Sequence, residues 1–131
     1  MTTNAQAAPQ DRAEAIARRY IASWNETDSA KRRQLLAELW TRDASYADPM
    51  ASAQGLDQID AMIDAVQQRF SGWRFALAGW PDGHGDVLRF CWQLGPEGGD
   101  SLVEGTDFAD LEDGRLKRVA GFLDKMPAGT A

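Results

Sequence analysis

The spacing of apolar residues changes once along this chain, at Gly72, and that change limits the folds open to it. Before Gly72 the apolar residues recur every three or four positions. Ala13, Ile16, Ala17, Tyr20, Ile21 and Trp24 form one face of a first helix; Leu35, Leu36, Leu39 and Trp40 supply the buried side of a second; Ile59, Met62, Ile63, Val66 and Phe70 mark a third. After Gly72 the period becomes two. Trp73, Phe75 and Leu77 alternate with Arg74 and Ala76, and Leu88, Phe90, Trp92 and Leu94 lie on one side of a strand with Val87 and Cys91 on the other. Strands that follow one another through short turns pair antiparallel, and helices gathered at the other end of the chain must cover one face of the sheet they form. The expected class is α+β.

Local signals refine the reading. Asp11 and Glu14 stand in capping-box spacing, Thr27 or Asp28 can cap the second helix, and Asp57 and Asp60 suit the positive end of the third. Lys31-Arg32-Arg33 reads as a solvated helix face. Ser45 to Met50 is a short strand ended by Pro49, and Ser71-Gly72 stops the third helix. Pro81–Asp86, Gly95–Asp100 and Glu112–Gly114 are expected turns between strands at Val87–Leu94, Ser101–Leu111 and Arg115–Leu123. Gly105 and Gly121, inside strands, are places where the sheet can bend. The reading is one domain over 11–124, with tails at 1–10 and 125–131.

Composition closes off several functions. In 131 residues, 20 acidic side chains against 14 basic ones give a net charge of −6, which repels phosphate backbones and argues against a nucleic-acid partner. One histidine, His84, and one cysteine, Cys91, supply too few ligands for most zinc sites and permit no internal disulfide. His84 reads as an exposed turn residue and Cys91 as a small core residue. No apolar run is long enough to cross a membrane, and Met1–Pro9 lacks a secretory pattern, so the expected compartment is the cytoplasm.

Three polar residues stand out. Asp48 precedes Pro49 and lies beside Tyr46 and Met50; it is either a turn aspartate bonded to local backbone or a reactive carboxylate. Asp107 shares its strand face with Val103, Gly105, Ala109 and Leu111, so lost hydration should raise its pKa, unless an arginine such as Arg89 or Arg118 pairs with it. Tyr20 lies on the apolar stripe of the first helix, where a buried hydroxyl needs a partner.

The segments Arg18–Asn25, Leu39–Pro49 and Gly105–Leu116 resemble the nuclear transport factor 2-like superfamily, within it the branch of SnoaL-like polyketide cyclases and ketosteroid isomerases. The resemblance spans about Asp11 to Asp124. It implies a cone: a curved antiparallel sheet wrapped by three helices around an apolar pocket. Carried over by motif, it implies Asp48 as the base that moves a proton, with Tyr20 and a protonated Asp107 holding an enolate oxygen, and no cofactor. Trp24, Trp40, Tyr46, Met50, Met62, Ile63, Phe70 and Phe122 are then the expected ligand-lining residues. Two functions remain open: an isomerase or cyclase acting next to a carbonyl of a small apolar molecule, or a module of the same fold that only binds or pairs. The strand Val87–Leu94 is apolar on both sides, and its uncovered side points to a homodimer through the sheets, as the resemblance also implies.

Overall fold

A computed structural model describes residues 9–127. Helices α1 (Pro9–Asn25) and α2 (Ser29–Leu39) come first, then strands β1 (Trp40–Ala47) and β2 (Ser52–Gln54), helix α3 (Leu56–Arg69), and strands β3 (Trp73–His84), β4 (Val87–Pro96), β5 (Val103–Glu112) and β6 (Arg115–Lys125). The six strands form one sheet in the order β2-β1-β6-β5-β4-β3. It is antiparallel except where β1 runs parallel to β6, so the sheet is mixed. Period-two alternation cannot reveal that pairing, because α3 lies between β1 and the later strands and no turn links them. The sheet curls without closing. Helix α1 packs along β3 and reaches β4, while α3 covers β1 and β2.

Several elements differ from the sequence reading. Helix α1 starts at Pro9, so Asp11 sits in its first turn instead of capping it, and two residues assigned to the tail are helical; proline suits this position because the first turn needs no N–H donor. The tail residues 1–8 and 128–131 lie outside the described region. Strand β6 runs one residue past the expected domain end, to Lys125. Strand β1 begins at Trp40, and the short β2 folds back on it through a turn closed by Asp48 N–H donating to Ala51 O at 2.9 Å. The expected turn over Pro81–Asp86 narrows to Gly85–Asp86, because β3 continues to His84. Gly79, at φ 74°, sits within the register shift between Ala78 and Asp82, and β3 is an edge strand, where proline is tolerated at a bulge. Asn25, the last residue of α1, secures that edge by donating to Phe75 O and accepting from Phe75 N–H. Cys91 is exposed on the outer face, because its strand neighbours Phe90 and Trp92 take the inner one.

The basic run on α2 also departs from expectation. Arg32 is buried, at 1% exposure. Its guanidinium donates to Asp60 Oδ1 at 2.6 Å, Gln67 Oε1 at 2.9 Å, Glu26 O at 3.0 Å and Asp64 Oδ1 at 3.3 Å. Asp60 therefore serves this pair and is not a helix-end charge. Asp28, by contrast, caps α2 by accepting from Lys31 N–H. The Arg32 network ties α2 to α3 and to the end of α1. Removing one partner leaves a buried charge uncompensated, so Arg32→Ala should cost about 3–5 kcal/mol. Urea unfolding measures this as a fall in midpoint at unchanged slope; a loss below about 1 kcal/mol would show the pair to be solvent-relaxed.

Candidate functional site

Strand register builds the site. Asp107 on β5 stands opposite Gly121 on β6. On the far side of β6, β1 ends with Ala47 opposite Ala120, which brings the next residue, Asp48, beside Gly121. The two carboxylates thus flank a residue without a side chain. A methyl at Gly121 would lie 2.8 Å from Asp107 Oδ1 and 3.4 Å from both Asp48 Cβ and Tyr46 Oη. Gly105 has the same spatial role one step along: an added methyl would run into the Trp92 ring. Both glycines make room for the site, and the β5–β6 register shifts between Glu104 and Gly105.

Each carboxylate has its own tyrosine. Tyr20 Oη donates to Asp107 Oδ2 at 2.8 Å, and Trp92 Nε1–H donates to Asp107 Oδ1 at 3.0 Å. Tyr46 Oη donates to Asp48 Oδ2 at 2.5 Å, while Asp48 Oδ1 accepts the backbone N–H groups of Met50 and Ala51 at 2.7 and 2.8 Å. The turn role and the pocket role of Asp48 therefore coexist. The arginines considered as partners of Asp107 are occupied elsewhere, Arg89 with Asp82 and Arg118 with Asp110.

Burial sets the protonation of this group. It pushes the Asp107 carboxyl up to about 6, against the lowering effect of the Trp92 and Tyr20 hydrogen bonds, with the nearby Asp48 charge adding to the rise. Burial and the Asp107 charge push the Tyr20 hydroxyl well above the ordinary tyrosine value. Burial, then the charges of Asp107 and Asp48, do the same to Tyr46. Both tyrosines remain hydrogen-bond donors at neutral pH.

Around these groups lies a cavity of about 110 Å³, walled by Ile21, Trp24, Val66, Phe70, Phe75, Leu94, Val103 and Leu123, with Met50, Met126 and Arg69 also lining it. This is somewhat smaller than the roughly 150 Å³ apolar cavity that accommodates one benzene. Tyr20, Asp48 and Asp107 all line it, as do Trp24, Tyr46, Met50 and Phe70. Four expected lining residues do not. Trp40 is buried behind Tyr20, with ring centroids 6.0 Å apart. Ile63 is fully buried in the core and Met62 packs against that core. Phe122 is 55% exposed on the outer face, because Gly121 takes the inward position of β6. Trp92, Phe75 and Arg69 were absent from the sequence-derived set. The alternation of β4 places Trp92 inward, and that signal could have found it; nothing local marks Arg69. Among the described residues no group of His, Cys, Asp and Glu could hold a metal ion.

Residues 17–119 match the family model of the SnoaL-like domain. The chain belongs to the SnoaL-like family. A proposed isomerase of the SnoaL-like family from Agrobacterium tumefaciens str. C58 is 44% identical, with 87% of this chain and 98% of that one covered and a TM-score of 0.84. The fold is shared with a proposed SnoaL-like polyketide cyclase from Jannaschia sp. CCS1 (15% identity, 91% and 90% covered, TM-score 0.70). It is shared equally with a proposed ketosteroid isomerase from Kribbella flavida DSM 17836 (19% identity, 93% and 84% covered, TM-score 0.67). A comparison with curated proteins finds no match. No described helix of this SnoaL-like protein is long and apolar enough to cross a membrane.

Proposed function

We propose that this SnoaL-like protein is a cofactor-free isomerase or cyclase that moves a proton at a carbon next to a carbonyl in a small apolar substrate. The observation that carries this reading is the meeting of two tyrosine-bound carboxylates, Asp48 and Asp107, in a pocket otherwise mostly apolar. In the reaction, Asp48 takes the proton from carbon and the electron pair moves onto the carbonyl oxygen. The enolate oxygen is held by the Tyr20 hydroxyl, backed by a protonated Asp107, and Asp48 then returns the proton to the same or another carbon.

The Tyr20–Asp107 bond gives this scheme a condition. While Asp107 is ionised, both its oxygens accept and Tyr20 spends its proton on them. When Asp107 is protonated, its own O–H can donate to Tyr20 Oη, which frees the tyrosine O–H for the enolate. The active form of the donor pair is thus the neutral acid.

Exchange of α-hydrogens in D2O, followed by NMR, tests the reading without the physiological substrate. Short-chain ketones such as 2-butanone, 2-pentanone and 2-hexanone suit a cavity smaller than the one benzene fills. Exchange of at least one of them faster than in buffer supports proton transfer. Binding of the ketones with no accelerated exchange would instead identify a module that only binds.

The cytoplasm is the compartment this reading retains, and a homodimer through the sheet is its expected assembly. Support for the dimer comes from the outer face, where Phe108 and Phe122, 43% and 55% exposed, stack edge to face at 5.8 Å beside Val87, which is 39% exposed. Sedimentation at micromolar concentration should give the dimer mass; a monomer would refute it.

A further inference from the structure

Arg69 is the one cation among the described residues lining the pocket. It closes the last turn of α3, is exposed, and therefore stands at the rim. Its guanidinium lies 5.3 Å from the centroid of the Phe70 ring, a lining residue, which holds it over the apolar wall. Among the described residues it has no acidic partner, a state it shares with Arg12, Arg19, Arg42, Arg74 and Arg115, none of which lines this pocket.

We propose that the substrate is a small apolar oxo acid whose carboxylate is engaged by Arg69 at the rim while its carbonyl end lies between Tyr20 and Asp48. This rests on the proton-transfer reading and names its substrate class. Three features of the protein lead to it. Against a net charge of −6 and two pocket carboxylates, Arg69 is the one local attraction that the described lining offers to an anion. The volume of about 110 Å³, less than one benzene fills, takes a short chain, so a polar group at the far end of a longer ligand meets the rim. Guanidinium offers two parallel donors in the geometry a carboxylate accepts, which sets the orientation of the ligand as well as its affinity. Anchoring one end at the rim sends the other toward the buried pair Tyr20–Asp107.

The test compares hexanoate with the isosteric, neutral hexanamide by calorimetric titration at pH 7. The wild-type protein should prefer the acid about five- to tenfold, a modest factor because the arginine is exposed and screened. Arg69→Gln should abolish the preference; Arg69→Lys should retain part of it. Added salt should shrink it. A preference that survives Arg69→Gln, or equal binding of both probes to the wild type, overturns the carboxylate assignment and leaves the proton-transfer reading intact. Binding of neither probe overturns the assignment together with the pocket on which both readings depend.

Discussion

Asp48→Asn is expected to slow α-hydrogen exchange by about a thousandfold while leaving ketone affinity within a few-fold. General-base groups contribute roughly 10²–10⁴ in rate, and this substitution removes the base while changing little else. The amide oxygen can still accept from Met50 and Ala51 N–H, as Asp48 Oδ1 does now, so the turn into β2 is preserved. Tyr46 can turn its hydroxyl to accept from the new amide nitrogen where it now donates to Asp48 Oδ2. A thermal melt within a few degrees of wild type confirms that the loss is chemical. Full exchange activity in a folded Asp48→Asn protein would remove Asp48 from the reaction.

The second large effect is on pH dependence, through Asp107. Its carboxyl sits at about 6 in the folded protein against an ordinary value of 3.8. The folded state therefore binds more protons than the unfolded state between those values, and stability falls as pH rises through that window. The stabilisation is fully present below about pH 4 and lost above about pH 6. At about 1.4 kcal/mol per unit, the loss approaches 3 kcal/mol. Asp107→Asn has no charge to bury; its amide can accept from Trp92 and donate to Tyr20. The variant should melt roughly 5–10 °C above wild type at pH 8, with the difference closing at pH 4. Activity has the same sign. The neutral acid that frees the Tyr20 proton declines above about pH 6, so wild-type exchange should decline there too, and Asp107→Asn should flatten that limb. An exchange rate that climbs through pH 6 would instead make Asp107 a base and overturn the donor role.

Both predictions concern groups that the sequence could nominate but not join. Asp107 was legible because strand alternation put it among Val103, Gly105, Ala109 and Leu111, and all of these are buried. Tyr20 was legible because helical spacing put it on the inner stripe of α1. What failed was anything requiring a neighbour distant in sequence. Arg32 reads as solvated because its own helix says so, and only the approach of α3 with Asp60, Asp64 and Gln67 buries it. Cys91 reads as core because hydrophobic residues surround it in sequence, yet a two-residue period sends adjacent residues to opposite faces. Phe122 was misplaced by the same geometry, one residue from Gly121.

The amino-acid sequence by itself determined the α+β class, the positions of the three helices and most of the strands, and which polar residues would lose water. These follow from periodicity and local turn chemistry, which act over a few residues. The tertiary structure alone decided that β1 lies parallel to β6, that Asp48 and Asp107 face each other across Gly121, and that Arg69 lines the pocket. Those facts depend on register between strands up to about seventy residues apart, and register is set by packing the whole sheet against its helices.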